Sequence, residues 1–409
     1  MFSSLVNAHD LVSVPLTFVI GGPRTGKTTL LEKYVLPEVA KSFRDKPYLV
    51  SLTQIRPYWL ETEEIRNRVA ATLLRGIFLF SNELPLEIRE AVFQNLQQNL
   101  SRLGIPPAVS PKFVELYLGE YWHNRAGQQQ VDPLRWSLEM FRTVATAMCS
   151  DPYVLLDDAD FMIRTGILGE VLHLCRVYQI GVLASARSLC DSTFDGPNPL
   201  LEYAHAADFV CLDRLPADPV FRSLCESILD EQAKSEDDRL SRVAGRVQVD
   251  SDLFEMSTLL SGGQIGRFRE FIQFLASCQK DPLKWNSPSR QDIGDFCKSR
   301  VEQMLQREGD SSIKAVLKQW VSNLGSALGV SVTAGLKQTW FRLPVEQLEE
   351  PELSHYLSIV RGGVLAWILQ CSAEERINVA KQTRFVPSHF RVSPLTALAG
   401  GFSLRKVVG

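Results

Sequence analysis

An apolar, β-branched run, Leu16-Thr17-Phe18-Val19-Ile20, ends in two glycines and continues without a gap into Gly21-Gly22-Pro23-Arg24-Thr25-Gly26-Lys27-Thr28-Thr29. The Gly-x-x-x-x-Gly-Lys-Thr spacing predicts a strand, a tight loop and the start of a helix. Glycines let backbone N–H groups converge on phosphate oxygens, and the helix N-terminus adds its own donors and partial positive charge. In such a loop Lys27 reaches the outer phosphates and Thr28 offers its hydroxyl to Mg²⁺. The loop residues Gly21 to Thr29 are therefore the first candidate site.

A second strand is predicted over residues 46–52, and a third at Tyr153-Val154-Leu155-Leu156, which ends in Asp157-Asp158-Ala159-Asp160. A short apolar run of this kind suits a buried parallel strand. Asp157 is the candidate metal ligand, and Asp158 the candidate for orienting or deprotonating a water. Gly181 to Ser188 reads as a fourth strand ending at Ser185 and Arg187, either of which is placed to sense a terminal phosphate, although an arginine there also suits plain surface. Asp208 to Leu212 reads as a fifth. The order strand, loop, helix, strand implies a parallel sheet.

Between the second and third strands, residues 53–150 turn helical. Ile65, Val69, Leu73, Ile77 and Phe80 recur at helical spacing behind Thr62, read as an N-cap, and further helices are expected over 86–103, 111–124 and 133–148. The helix after the loop is expected to bury Leu30, Leu31, Tyr34 and Val35 and to be kinked at Pro37. Beyond Pro216, residues 230–252 read as a charged, exposed stretch. Ser261-Gly262-Gly263 feeds an amphipathic helix with Phe268, Phe271, Ile272 and Leu275 inward and Arg267 and Arg269 elsewhere, one of the two being a candidate to reach back to a nucleotide. The proline- and serine-containing stretch 281–290 is read as a boundary, with helices over 292–307 and 312–328 after it. Residues 376–409 carry six Lys or Arg and no acid, and read as a solvated tail with some capacity to touch nucleic acid.

At 409 residues, two or three domains are expected. A net charge of −3 gives no global attraction to nucleic acid or anionic membrane. The eight cysteines form no C-x-x-C pair, which suits small core residues in a reducing compartment, and the six histidines show no zinc-ligand spacing. No stretch reads as a signal peptide or membrane span, so an intracellular protein, cytoplasmic or nuclear, is expected.

Together the loop, Asp157-Asp158, the strand ending at Arg187 and the Gly262-Gly263 helix resemble the ASCE group of P-loop ATPases, of the AAA+ and STAND type, over about residues 16–280. The resemblance implies an α/β fold. It consists of a three-layer P-loop NTPase core over 1–215 with a helical insertion at about 53–150, a helical lid over 216–285, and a mostly α-helical C-terminal domain over 286–409. It also implies a strand between those carrying the loop and Asp157. Its phosphate-binding loop maps to Gly21, Gly22, Pro23, Arg24, Thr25, Gly26, Lys27, Thr28 and Thr29. Its metal position maps to Thr28 and Asp157, and its catalytic positions to Lys27, Asp158 and Arg187. ATP and Mg²⁺ are the implied cofactors, and a protein partner or a second copy of the chain the implied company. The implied function is a nucleotide-dependent switch that hydrolyses ATP slowly, since aspartate stands at 158 where many relatives carry glutamate. A non-enzymatic nucleotide-stabilised scaffold and an ATPase handling nucleic acid are the alternatives.

Overall fold

The computed structural model describes residues 14–22, 24–41, 49–54, 61–80, 132–159, 162–163, 165–186, 200–212, 219–279, 284–305, 341–344, 369–370, 389–392 and 394–399, with isolated positions at 86–87, 89–90, 94 and 189. The expected helices over 111–124 and 312–328, and nearly all of that over 86–103, lie outside the described residues. Contacts divide the chain into two compact units. The first comprises Met1–Val19, Lys27–Leu189 and Asn198–Val210, and the second Ile20–Gly26, Cys190–Pro197 and Cys211–Gly409.

Five strands, β1 (Leu16–Gly21), β2 (Leu49–Gln54), β3 (Pro152–Asp157), β4 (Gly181–Ala186) and β5 (Asp208–Leu212), form one parallel sheet in the order β2-β3-β4-β1-β5. The class is α/β, and β4 lies between β1 and β3. The central strands are almost uniformly apolar because both faces are covered: every residue of β4 is buried, as are all but one of β3. Register follows from the pairs Leu155 with Leu183 and Leu156 with Ala184, so the next residues along are Asp157 and Ser185. At the other end of β4, a Cβ on Gly181 would lie 2.6 Å from the Tyr153 ring, so this position needs glycine.

The helix α1 leaves the glycine-rich loop in three parts: α-helical over Lys27–Thr29, π-helical over Leu30–Val35 and α-helical again over Leu36–Lys41. The Leu36 N–H bonds the Leu31 carbonyl, five residues back, which is the wide turn expected just ahead of Pro37, a residue with no N–H to give. That widening changes which side chains face inward. Leu31 and Val35 are buried, whereas Tyr34 is 57% exposed, against the inward position expected for it.

Two helices cover part of the sheet. In α2 (Thr62–Phe80), Ile65, Val69, Leu73 and Ile77 are buried as their spacing predicts. Its first turn is capped from Glu61 rather than Thr62: the Glu61 carbonyl accepts the Ile65 N–H, and the Glu61 N–H donates to the Glu64 carboxylate. In α3 (Pro133–Ala147), the Asp132 side chain accepts from the Leu134 N–H, and proline occupies the first position, where no donor is needed. Helix α4 (Ile167–Val177) packs on β4, and the short α5 (Leu201–Ala206) precedes β5.

The second unit contains α6 (Pro219–Ala233), α7 (Asp238–Val249), α8 (Ser251–Ser261), α9 (Ile265–Ser277) and α10 (Arg290–Leu305). The stretch expected to be a charged surface segment is partly core: α7 buries Val243, Ala244 and Val247 while its charges face out. Phe268, Phe271, Ile272 and Leu275 of α9 are buried as predicted. A capping box, Ser289 with Asp292, starts α10. Phe296 of α10 then stacks on Phe274 of α9 at 4.4 Å, joining the helices on either side of residues 281–290.

The basic tail is not all solvated. β8 (His389–Val392) pairs antiparallel with β6 (Phe341–Pro344) and β7 (Leu369–Gln370), and α11 (Pro394–Ala399) buries Leu395 and Leu398 while packing on α10 and α8. Apolar Leu395 and Leu398, three apart on one helical face, outweigh the scattered charges. No described helix is long and apolar enough to cross a membrane.

Candidate functional site

Asp157, at the C-terminal end of β3, is fully buried. Thr28 donates to its Oδ2 at 2.7 Å, and Ser185 donates to its Oδ1 at 2.6 Å. Thr28 and Asp157 are 129 residues apart in sequence, and the fold brings them into direct contact. A buried carboxylate is costly unless donors surround it, and two hydroxyls supply part of that compensation. Lys27, one residue before Thr28, is itself only 6% exposed.

Ser185 holds both acids. Its hydroxyl accepts from the Asp158 N–H at 3.0 Å, and its carbonyl accepts from the Ala159 N–H at 2.8 Å. Asp158 sits in the left-handed region at φ 55°, which aspartate enters more readily than most non-glycine residues, and the bond from its N–H to Ser185 holds it there. Ser185 is one of the two residues, with Arg187, read at this strand end as able to sense a terminal phosphate; it is fully buried, and its bonds to Asp157 and Asp158 set their positions. The sequence shows a serine next to the end of an otherwise apolar strand, but the register that sets it beside Asp157 is a long-range property.

The loop ahead of Lys27 is built within the second unit. Thr25 donates its hydroxyl to the Gly22 carbonyl at 2.8 Å, closing the turn, and Arg24 and Gly26 both have positive φ, 66° and 93°. The Arg24 carbonyl accepts the Gly266 N–H at 3.1 Å, and its guanidinium Nη2 meets Glu270 Oε1 at 2.7 Å. Glu270 was missed in the sequence, although its spacing of three from Arg267 on one helix is a charge-pair signal.

Arg267 and Arg269, read as projecting away from the core, part company. Arg269 is half-exposed and bonds Glu231 at 2.7 Å. Arg267 is only 3% exposed, and its burial pushes its pKa down to about 10, with Glu270 acting to raise it and Arg24 to lower it. An arginine can be buried in an apolar stripe when an acid on the next turn offsets its charge.

Of the remaining expected residues, Thr29 is exposed, Gly21 and Gly22 are buried, and Pro23 and Arg187 lie outside the described residues. The donor set of one carboxylate and one hydroxyl, both hard oxygen, fits a Mg²⁺ that keeps its other positions for water and phosphate. Among the described residues no cluster of three or more His, Cys, Asp or Glu side chains forms a larger metal site. No protein-family model matches the chain, and no curated protein matches it in sequence.

Proposed function

We propose that the chain is an ATP-binding P-loop NTPase of the AAA+/STAND kind, which works as a nucleotide-dependent switch and hydrolyses ATP slowly. The observation that carries this reading is the 2.7 Å bond from Thr28, just past the glycine loop, to Asp157 at the end of a central strand. A lone glycine-rich turn has no reason to be joined to a buried carboxylate 129 residues away. A phosphate and metal site needs that pairing of loop hydroxyl with strand-end acid.

In this reading the N–H groups of Gly21 to Thr28 bind phosphate oxygens, and Lys27 neutralises charge on the outer phosphates. Thr28 and Asp157 would hold Mg²⁺, which when bound supplies charge neutralisation for the transferring phosphoryl group. Asp158 accepts the proton of the attacking water or orients it, with its backbone fixed by Ser185. Arg187 would complete the stabilisation of the terminal phosphate. Aspartate reaches less far than glutamate, and a backbone pinned at φ 55° gives Asp158 little freedom to make up the distance, which accords with slow turnover.

The test is ATP turnover by the wild type, Lys27→Ala and Asp158→Asn, alongside Mg²⁺-dependent binding of a fluorescent ATP analogue. Loss of binding in Lys27→Ala, with binding kept and turnover lost in Asp158→Asn, is expected. Turnover identical in all three proteins would reject the assignment. Tight Mg²⁺-dependent binding without turnover in the wild type would favour the second reading, a scaffold in which the nucleotide is structural; the pinned Asp158 is the feature that supports it.

A further inference from the structure

We propose that α9 sets the conformation of the phosphate loop, with Gly266 and Glu270 as its positioning residues, so that nucleotide affinity is tuned from this helix; the nucleotide part rests on the function proposed above. Three contacts within the second unit carry it. The first is a helix-end effect. An α-helix leaves its first N–H groups without partners, and here the N-cap residue Gln264 makes no side-chain capping bond. The Gly266 N–H instead donates to the Arg24 carbonyl at 3.1 Å, so a loop carbonyl serves as part of the cap. Helix and loop thus satisfy one another.

The second contact is steric. A Cβ placed on Gly266 would lie 2.9 Å from Arg24 Cβ, 3.0 Å from its carbonyl oxygen and 3.1 Å from its Cα. Two of these three atoms are backbone, which cannot swing aside as a flexible side chain could, so the loop lies against the helix at the distance glycine permits. The third contact is electrostatic. Glu270, one turn further along the same helix, is 11% exposed at its side chain and holds the Arg24 guanidinium at 2.7 Å. Arg24 is held at both ends, carbonyl and guanidinium, while its backbone sits at φ 66°, a region a non-glycine residue seldom occupies without support. Loop amides can converge on a phosphate only while the turn keeps this shape. Releasing Arg24 frees it to return to an ordinary φ and swings the neighbouring peptide groups. By linkage, a ligand on the loop must then favour the latched helix to the same extent that the latch favours the ligand.

The experiment follows amide hydrogen exchange of residues 20–26 in the full chain, with binding of the fluorescent ATP analogue measured in parallel. The proteins are the wild type, Gly266→Ala, Glu270→Gln and the charge-swapped pair Arg24→Glu with Glu270→Arg. Gly266→Ala keeps every charge in place and improves helix propensity, so a purely local role predicts an unchanged loop and a helix at least as stable. The latch predicts faster exchange confined to 20–26, and affinity weakened about twofold to fivefold in Glu270→Gln and more in Gly266→Ala. Partial recovery of protection in the swapped pair would support the ion pair specifically. Exchange over 20–26 unchanged in both single variants would overturn the proposal. If the wild type binds no nucleotide, the nucleotide reading falls, and the exchange arm alone decides whether the helix holds the loop.

Discussion

Asp157 and Glu270 are both acids with little exposure, yet the chain secures them differently. Hydroxyls of Thr28 and Ser185 donate to Asp157 from the start of a helix and the end of a strand, positions fixed by the sheet and its register. Glu270 projects from a helix onto a guanidinium that is half in solvent and carried by a loop residue at positive φ. The first arrangement is the more rigid, because two of its three members, Asp157 and Ser185, lie on paired strands. The second is adjustable, because its members are a side-chain ion pair and a single backbone bond. A site that bound phosphate would gain from having both, a fixed acid for the metal and a loop whose shape can respond.

The sharpest contrast to be drawn between the two units uses their cysteines. Each unit supplies its own reference: Cys149 is exposed in the first and Cys211 in the second, whereas Cys175 and Cys297 are buried. Burial pushes both buried thiols up to about 12, and for Cys297 nearby Arg267 pulls the other way. At pH 8 alkylation, read site by site by mass spectrometry, should be at least about a thousandfold slower at the buried pair. If the second unit is the adjustable one, Cys297 reacts faster than Cys175. Equal rates would mean that the difference between the units is confined to their acids.

The same groups fix the sign of the alkaline response. A thiol raised from 9.0 to about 12 contributes stability that is complete below pH 9 and lost as pH climbs toward 12. Arg267, lowered from 12.5 to about 10, does the opposite: its burial cost is felt below pH 10 and relieved above it. Between pH 10 and 12 Cys297 therefore has an offset from the neighbouring arginine, which neither Cys175 nor Cys225, another buried thiol of the second unit, receives. Exchange protection followed across that range should fall more steeply around Cys175 than around Cys297.

Next in size is Asp157→Ala. It strands the buried Ser185 hydroxyl and the half-buried Thr28 hydroxyl and should cost about 2 kcal/mol in chemical denaturation, whereas Asp157→Asn keeps the shape and should cost about half as much. Ser185→Ala follows at about 1–2 kcal/mol, since it removes a donor to Asp157 and an acceptor for the Asp158 N–H together. A cost near zero for Ser185→Ala would show that the two acids are held by the sheet alone.

How far the sequence exposed these features depends on the kind of physics involved. The five strands were legible because each is a short apolar run ending in polar or glycine residues, and burial on both faces leaves little else such runs can be. Asp157 and Thr28 stand out in the sequence from the glycine-loop spacing and the strand-end acid, and the fold joins them by a 2.7 Å bond. Ser185 was readable as a residue but not as a role, since the register that sets it beside Asp157 is a long-range property. The inner face of α7 and the burial of Arg267 are hidden in the sequence, because local charge suggests exposure. In α7 the apolar Val243, Ala244 and Val247 recur at helical spacing among the charges, and in α9 Glu270 offsets Arg267 from within the helix. Tyr34 failed for a different reason, because the π-helical turn ahead of Pro37 alters the period on which the inward assignment rested.

The smallest effect expected is also the one that most directly separates the two acids. Arg24→Gln removes a contact to Glu270 that is 2.7 Å long but half in solvent on the arginine side. An ion pair with that much exposure adds at most about 1 kcal/mol to global stability, because water and salt screen it and holding a long side chain costs entropy. The change in denaturation midpoint should therefore be slight, and it should shrink further in high salt, while the Asp157 variants show no such salt dependence. Local exchange over residues 20–26 should nevertheless rise, because the carboxylate holds the loop rather than the fold. A global loss as large as that of Asp157→Ala would mean that Glu270 and its arginine are part of a rigid core, and the contrast between a fixed and an adjustable acid would no longer hold.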